Sequence, residues 1–343
     1  LFSKIKINVA AQERKVIRIP LNNSFLAELE DDVYLNFIFR TNKKIGLIEE
    51  NTVLAKEQLL FKERKIKPLN FSEKCNKEFP RIEVIETNED IIFKPLNHTI
   101  VFPKNGYSFS SYIKSKTEHL IEGLKPNFWR APTDNDYGAK LPQKLQIWKN
   151  PMKGFKQQSF DYHLINKYHA NVEIRGTIIN GLVELRFVYH IFNRGEVYIE
   201  FSMHPKHDEL PMLPRFGLKM KMPKAFNRLE WFGRGLHESY SDRKASAFVG
   251  NYKAKVKNQF HPYIRPQENG NKSDTRWVSL TDKTGKGITV KGIPTIDISA
   301  HHNIMEDFES LERSDGRHRD GDTVKNRHTI DVVPRALVSL NID

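Results

Sequence analysis

The sequence has 343 residues but only one cysteine, Cys75. A single thiol excludes an internal disulfide framework and a cysteine-based zinc cluster. No apolar run reaches the roughly 18 residues that a membrane-spanning helix requires, so we expect no membrane partner. The histidines lack H-x-H and HExxH spacings and no G-x-S-x-G occurs, so the sequence indicates neither a metal site nor a serine nucleophile.

Acidic residues are outnumbered by basic ones. The 42 Asp and Glu stand against 55 Lys and Arg, which gives a formal net charge of +13. Such a surplus favours contact with anionic surfaces and with nucleic acids. The basic patches are short, however, and in 252–259 they alternate with apolar residues at strand spacing. We therefore attribute the charge to a basic surface spread over a large β protein, and we expect no nucleic-acid partner.

Period-two alternation of apolar and polar residues dominates the chain, and this pattern predicts β-strands. The predicted strands are 15–21, 33–40, 81–86, 172–179, 182–192, 196–204, 217–222 and 287–293. Asn180-Gly181 lies between two of them and predicts a hairpin. Helical periodicity is confined to 140–150 and 302–313. The sequence therefore predicts an all-β protein of the sandwich type with one or two helices.

A domain boundary is expected near residues 62–71. The strands before it are too few to close a sandwich, and about 270 residues follow it. The first residues alternate at Ile5, Ile7 and Val9 as in a strand entered part-way, and they lack the plan of a signal peptide. Because the chain also starts without Met, we expect a fragment of a longer protein. Its compartment, cytoplasmic or periplasmic, stays open.

The stretch 128–138, FWRAPTDNDYG, concentrates aromatic, basic and carboxylate side chains. The run DND at 134–136 resembles the start of a calcium loop. The EF-hand, however, needs glycine and glutamate where this chain has Ala139 and Leu145. Two interpretations remain open: an Asx-rich turn whose side chains bond their own backbone, or a functional loop.

The stretch 231–243 contains a G-x-G without the third glycine or the βαβ context of a dinucleotide-binding loop. Gly233 and Gly235 instead indicate a bulge or a tight bend in a strand. The following HE and DR pairs, at 237–238 and 242–243, could be catalytic, but we favour buried ion-pair or hydrogen-bond roles.

The segment 260–277 is polar and rich in aromatic residues. Tyr263, Arg265, Glu268 and Trp277 are side chains that suit sugar hydroxyls and stacking on a sugar ring. They equally suit a long loop that is well hydrogen-bonded within the protein.

FWRAPTDNDYG resembles the F-x-R-A-P-x-D-N-D-x-G motif of the C-terminal domain of large glycoside hydrolase family 2 β-galactosidases. Further segments resemble that domain in the same order: RFGLKMKMP, LEWFGRGLHESYSDR, YIRPQENGNKSDTRW, ISAHH and RHTIDVVPRALVSLNID. Together they span residues 128–343. The resemblance implies a supersandwich of the galactose mutarotase type over 67–343, truncated at its C-terminal end, after the last part of an Ig-like β-sandwich over 1–66.

The same resemblance implies a retaining hydrolase of terminal β-galactosides such as lactose. Its two catalytic carboxyls, about 5 Å apart, are glutamates of an upstream TIM barrel in this family. The magnesium and sodium ligands of the family are upstream as well. We therefore expect no catalytic residue, metal ligand or cofactor in this chain, which alone would be inactive. The implied partners are the galactoside, the TIM-barrel domain and further copies of the parent protein in a homo-oligomer.

One piece of the family's active site is a mobile loop that begins at the glycine of D-N-D-x-G. Here the implied substrate-binding residues are Asp136, Tyr137, Gly138, Ala139 and Lys140, with Gly138 as the hinge. A tryptophan platform of the family would follow Asp343. The alternative is a stand-alone carbohydrate-binding module of mutarotase-like fold. That module would bind galactose by itself through an aromatic cleft of Trp277, Tyr263 and Trp231.

Overall fold

The computed structural model describes residues 3–20, 28–29, 31–66, 69–309 and 328–343. Contacts divide the chain into two compact units, Leu1–Lys67 and Pro68–Asp343. In the first unit, strands β1 (Val33–Arg40) and β2 (Val53–Lys62) pair antiparallel over most of their length.

The strand predicted at 15–21 is wrong for 15–20, and residue 21 lies outside the described residues. None of the described residues before β1 belongs to a strand, including those with the alternating Ile5, Ile7 and Val9. The side chain of Val16 is 90% exposed. A period-two pattern yields a strand only where a neighbouring strand pairs its N–H and C=O groups, and the described residues supply none at this place.

Two antiparallel sheets come first in the larger unit. Their strands are β3 (Glu83–Glu86), β4 (Asp90–Lys94), β5 (His98–Pro103), β6 (Ser111–Lys114), β7 (Thr117–Glu118), β9 (Lys156–Asn166), β10 (His169–Ile178), β11 (Val183–Phe192) and β12 (Val197–Pro205). One sheet has the order β3-β4-β5-β6-β7, and the other has the order β12-β11-β10-β9. The predicted hairpin is confirmed, since a single turn at Ile179–Gly181 joins β10 to its antiparallel partner β11.

The third sheet of the larger unit has seven strands. They are β8 (Glu122–Asn127), β13 (Gly217–Pro223), β14 (Arg228–Gly235), β15 (Phe248–Lys255), β16 (Lys272–Thr281), β17 (Gly287–His301) and β18 (Leu337–Ile342). Their order is β15-β14-β16-β17-β18-β13-β8, and every pair is antiparallel. The predicted all-β fold with sandwich-like antiparallel sheets is confirmed.

Helices are short. They are α1 (Phe71–Lys74), α2 (Asp134–Gly138) and α3 (Leu141–Lys144), with 3-10 turns at Gln146–Trp148, Pro151–Gly154, Ile179–Gly181, Val256–Asn258, Met305–Asp307 and Thr329–Asp331. The helix predicted at 140–150 is therefore broken into two short pieces. The helix predicted at 302–313 is wrong over its described part, where only one turn forms, and 310–313 lie outside the described residues. No helix in the described ranges is long and apolar enough to cross a bilayer.

Aromatic side chains join the first two sheets of the larger unit. Phe102 of β5 meets Tyr189 of β11 edge to face, with ring centroids 5.1 Å apart. Within the second of these sheets, Phe187 of β11 stacks on its strand partner Phe201 of β12 at 4.8 Å. Every second residue of β11 from Val183 to Ile191 is buried, as the sequence pattern requires for one face packed on a core, and Val188 and Phe192 on the other face are buried as well.

Gly233 of β14 pairs regularly with Gly250 of β15. The bulge predicted at Gly233 is therefore wrong. An added Cβ at Gly233 would lie 2.7 Å from the Cα of Thr275. The residue is required because the backbone of β16 passes too close for a side chain.

Candidate functional site

Helix α2 is built by the polar residues of FWRAPTDNDYG. The Thr133 hydroxyl accepts a hydrogen bond from the Asp136 N–H at 3.3 Å, and the Asp136 carboxylate accepts one from the Thr133 N–H at 2.9 Å. This reciprocal pair is a capping box, and it satisfies two N–H groups that the helix leaves free. The Arg130 guanidinium also donates to Asp136 at 2.8 Å. The side chains thus bond their own backbone, but in a helix and not in an open turn.

The predicted loop 136–140 continues as helical turns in this structure. Gly138 ends α2 and is exposed, with no atom within 4 Å of an added Cβ. The left-handed conformation falls instead on Lys140, with φ of 57°, at the start of α3. Beyond it, the buried Trp148 donates from Nε1 to the Pro211 carbonyl at 3.0 Å. The segment is therefore bounded by a capped helix on one side and a buried indole on the other.

The loop 260–271 packs against this segment. The Arg265 guanidinium lies 4.0 Å from the centroid of the Tyr137 ring, a cation–π distance. Its Nη1 atom is 3.6 Å from a carboxylate oxygen of Asp134. The Glu268 N–H donates to the Ala131 carbonyl at 3.3 Å. Residues from two motifs that are far apart in sequence thus form one surface.

Below this surface lies a buried ion cluster centred on Arg215. Its guanidinium contacts Glu268 at 2.9 Å and Asp343 at 3.0 Å, and its side chain is 8% exposed. Burial raises the pKa of Asp343 to about 7, although the Arg215 cation acts to lower it. The Tyr240 hydroxyl is buried nearby, and burial together with the negative charge of Glu268 raises its pKa well above the ordinary value. The cluster ties three motif segments to one cation.

Glu238 is held by donors from three directions. Its carboxylate accepts from the Gly270 N–H at 2.8 Å, from the Tyr263 hydroxyl and from the Arg243 guanidinium. Burial alone would raise the pKa of Glu238, but these three hydrogen bonds outweigh it and hold the pKa below its ordinary range. The predicted ion pair forms between Glu238 and Arg243, but only Glu238 is largely buried in it, since the Arg243 side chain is 59% exposed.

The four predicted carbohydrate-contact residues do not form one group. Three of them share one loop but have different partners. Tyr263 contacts Glu238, Arg265 contacts Tyr137, and Glu268 contacts Arg215. Trp277 lies within β16, where it pairs with Phe232 on one side and Lys291 on the other.

A cleft lined by Trp231 is not formed, because this indole is fully buried. Its Nε1 donates to the Arg234 carbonyl at 2.9 Å, and its ring stacks on Tyr252 with centroids 5.2 Å apart. The prediction that Trp231 presents a face to a sugar is therefore wrong.

Sequence patterns gave no role to Arg215 or Lys272. Lys272 is 2% exposed, with its ammonium 5.5 Å from the centroid of the Trp231 ring. Burial lowers the pKa of Lys272 to about 8, while the charge of Glu238 acts to raise it. The only signal for Arg215 was its place at the start of the motif segment RFGLKMKMP. Its two carboxylate partners lie more than fifty residues away, so no local pattern indicated the ion pairs. Within the described ranges, no three His, Cys, Asp or Glu residues are grouped as a metal site.

Comparison with known proteins shows a family match. A family model described as beta galactosidase small chain matches residues 95–343. The β-galactosidase of Priestia megaterium is 34% identical over 277 residues, which make up 79% of this chain and 25% of that relative. The β-galactosidase of Actinobacillus pleuropneumoniae is 31% identical over 263 residues, 74% of this chain and 24% of the relative. The β-galactosidase of Lactococcus lactis subsp. lactis is 24% identical over 292 residues, which make up 79% of this chain and 28% of that relative. The chain spans about a quarter of the length of these curated relatives.

Proposed function

Because this chain belongs to the family of the β-galactosidase small chain, we propose that it is the C-terminal, non-catalytic region of a retaining β-galactosidase of glycoside hydrolase family 2. The whole enzyme hydrolyses terminal β-D-galactosides such as lactose. The observation that carries the proposal is the 34% identity to one β-galactosidase over 277 residues. The chain also supports assembly of the parent enzyme, whose catalytic TIM barrel it contacts.

The state of the carboxylates supports the assignment of the catalytic glutamates to another part of the enzyme. A retaining glycosidase needs a nucleophile and a proton donor about 5 Å apart and free to react. In the motif segments, Asp136 caps a helix and binds Arg130, Glu238 binds Arg243, and Glu268 binds Arg215. Each of these groups is engaged in holding the fold.

The segment that begins at Gly138 contributes a mobile loop to the galactoside site, and the substrate-binding residues we propose are Asp136, Tyr137, Gly138, Ala139 and Lys140. Three of its residues are exposed, from Gly138 to Lys140. Gly138 is suited to a hinge, because it lacks a side chain and lies at the end of α2, where an added Cβ would meet open space. Arg265 above the Tyr137 ring belongs to the part against which the loop closes.

The test is reconstitution of activity. The 343-residue chain is assayed with a chromogenic β-galactoside alone, and again with the Priestia megaterium enzyme from which the matching region has been removed. We expect no turnover by either part and turnover by the mixture, because the catalytic carboxyls and the completed site then meet. Turnover by the chain alone, or a complex that forms by size-exclusion chromatography and stays inactive, would contradict the proposal.

The loop is tested in the same assay by a matched pair of glycine substitutions. Gly138→Ala and Gly154→Ala each add one methyl group at a position with no atom within 4 Å. We expect Gly138→Ala to lower turnover of the reconstituted enzyme several-fold and Gly154→Ala to leave it unchanged. Equal effects of the two variants would argue against the hinge. Calorimetry with galactose on the chain alone tests the competing role, because sugar binding without a barrel is the property of a stand-alone module.

A further inference from the structure

A cavity of about 310 Å³ lies against the seven-stranded sheet, outside the surface formed by Tyr137 and Arg265. Strands β8, β13 and β18 line it, and the turns Pro151–Gly154 and Met305–Asp307 contribute to its walls. Its volume is at the lower end of the range of about 300–1,000 Å³ that small-molecule sites occupy. The proposed function does not use it, although Phe128, Lys219, Lys221 and Ser339 of its lining belong to the motif segments quoted above.

The lining of this cavity is strongly basic. Five lysines line it, and they define what we call the lysine cavity: Lys125, Lys149, Lys153, Lys219 and Lys221. Among the described residues, Glu122 and Glu306 are the acidic side chains of the lining, and Lys149 pairs with Glu309 outside it, so five positive charges face three negative charges. A concave site with one sign of charge concentrates the electric field and attracts ions of the opposite sign.

The register of the sheet forces two of these lysines together. Lys125 of β8 is the direct partner of Lys219 of β13 in the antiparallel pairing. Like charges directly opposite one another on neighbouring strands destabilise a sheet. Lys221 follows Lys219 by two residues and therefore points to the same face. The fold thus concentrates cations at a place where stability alone would favour their separation.

Internal acids neutralise only part of this charge. Glu122 pairs with Lys125 and with Lys221, the second at 2.7 Å. Glu306 is 3.7 Å from Lys219, at the outer limit of an ion pair. Two acids therefore serve three closely spaced ammonium groups of the sheet.

The exposure of the lysines argues against a simple solvated face. The side chains of Lys219, Lys221 and Lys149 are 25%, 30% and 34% exposed, so roughly two-thirds or more of each side chain is removed from water, whereas Lys125 is 41% exposed. Apolar side chains complete the walls, among them Phe128 and Met152. A few convergent charges within apolar walls are typical of a ligand site.

We propose that the lysine cavity binds a phosphate group, carried either by free phosphate or by a phosphorylated sugar. A doubly charged tetrahedral oxyanion matches an excess of two positive charges better than a single carboxylate does, and lysine ammonium groups are common phosphate ligands. Phe128 and Met152 stand beside the lysines in the lining, so apolar contact with a sugar ring is available next to the phosphate. The inference is independent of the function proposed for the chain.

The first test compares anions at equal ionic strength. The melting temperature of the 343-residue protein is measured in sodium phosphate and in sodium chloride, because a ligand that binds only the folded state stabilises it. Calorimetric titrations with phosphate, galactose 6-phosphate and galactose follow on the same protein. We expect phosphate to raise the melting temperature above its value in chloride, and galactose not to bind in this cavity. Tighter binding of galactose 6-phosphate than of phosphate would assign the ligand to phosphorylated sugars, and equal binding would assign it to free phosphate.

Two lysine variants distinguish phosphate binding in the lysine cavity from a general effect of the protein's positive charge. Lys219→Gln removes a cation of the cavity, and Lys206→Gln removes a lysine that pairs with Glu184 at 2.8 Å elsewhere. We expect Lys219→Gln to weaken phosphate binding at least tenfold while the melting temperature in chloride stays or rises, because the repulsion from Lys125 is gone. Lys206→Gln should leave phosphate binding unchanged. The proposal is overturned if phosphate stabilises no more than chloride, if both variants weaken binding equally, or if Lys219→Gln lowers the melting temperature in chloride and leaves phosphate binding intact.

Discussion

At the scale of single residues, the most consequential side chain of the described structure is Arg215. Its guanidinium binds the carboxylates of Glu268 and Asp343, and all three side chains are largely removed from water. A buried ion pair adds little net stability compared with an apolar replacement of all partners, because desolvation offsets the attraction. Removal of one partner is different, since it leaves charges buried and uncompensated.

We therefore expect Arg215→Met to destabilise the protein by about 3–5 kcal/mol, because two buried carboxylates would face each other without a cation. The measurement is the urea midpoint of unfolding. Lys253→Met is the control, because Lys253 pairs with Glu230 on an exposed strand and its side chain is 75% exposed. A surface pair of this kind contributes at most about 1 kcal/mol. Similar midpoints for the two variants would show that the buried cluster does not stabilise the fold as we argue.

At the scale of strands, the packing of β14 between β15 and β16 depends on missing side chains. Gly233 is directly opposite Gly250 in the β14–β15 pairing. An added Cβ at Gly233 meets the Thr275 backbone at 2.7 Å, whereas one at Gly250 meets the Tyr252 side chain at 3.3 Å. Backbone in the middle of a sheet cannot move without displacing neighbouring strands, but an aromatic ring can shift by a few tenths of an ångström.

The expected outcome is that Gly233→Ala costs about 1–3 kcal/mol of unfolding free energy, as overpacking of a tight interior typically does. Gly250→Ala, which adds the same methyl group on the partner strand, should cost less. Urea denaturation of both variants provides the comparison. If Gly250→Ala proves the more damaging change, the close approach of β16 is not the reason for glycine at Gly233.

At the scale of the whole molecule, burial keeps several histidines uncharged. Burial is the main cause of the lowered pKa of each of five residues: His98, His119, His169, His190 and His301. The pKa of His98 falls to about 4, with a further contribution from the charge of Lys114. In the unfolded chain these groups have a pKa of about 6.5.

Stability should therefore decrease as pH falls from 7 to 5, because the unfolded state takes up protons that the folded state does not. Asp343 has the opposite effect, since its pKa is raised to about 7 on folding, but it is one group against five. The test is the urea midpoint at several pH values. His98→Gln should reduce the slope with pH, whereas the exposed His163→Gln should not. A midpoint that rises toward pH 5 would contradict this account.

Local sequence patterns were enough to predict the strands in much of the larger unit. Alternation of apolar and polar residues is a property of each strand alone, so β10, β11 and the turn between them followed from it. The family followed as well, because ordered motifs between 128 and 343 need no knowledge of contacts. The same patterns failed at 15–20, where a strand needs a neighbour that no local pattern supplies.

Which of these residues come into contact depends on tertiary contacts that local patterns do not contain. The ion-pair partners of Arg215 are Glu268 and Asp343, which lie far from it in sequence. The lysines of the cavity belong to separate segments between residues 125 and 221. Sheet order brings such residues together, and that order depends on long-range pairing and on burial of the whole core. For this reason a fully buried Trp231 and a cluster of partly buried lysines could not be distinguished in the sequence from ordinary strand residues.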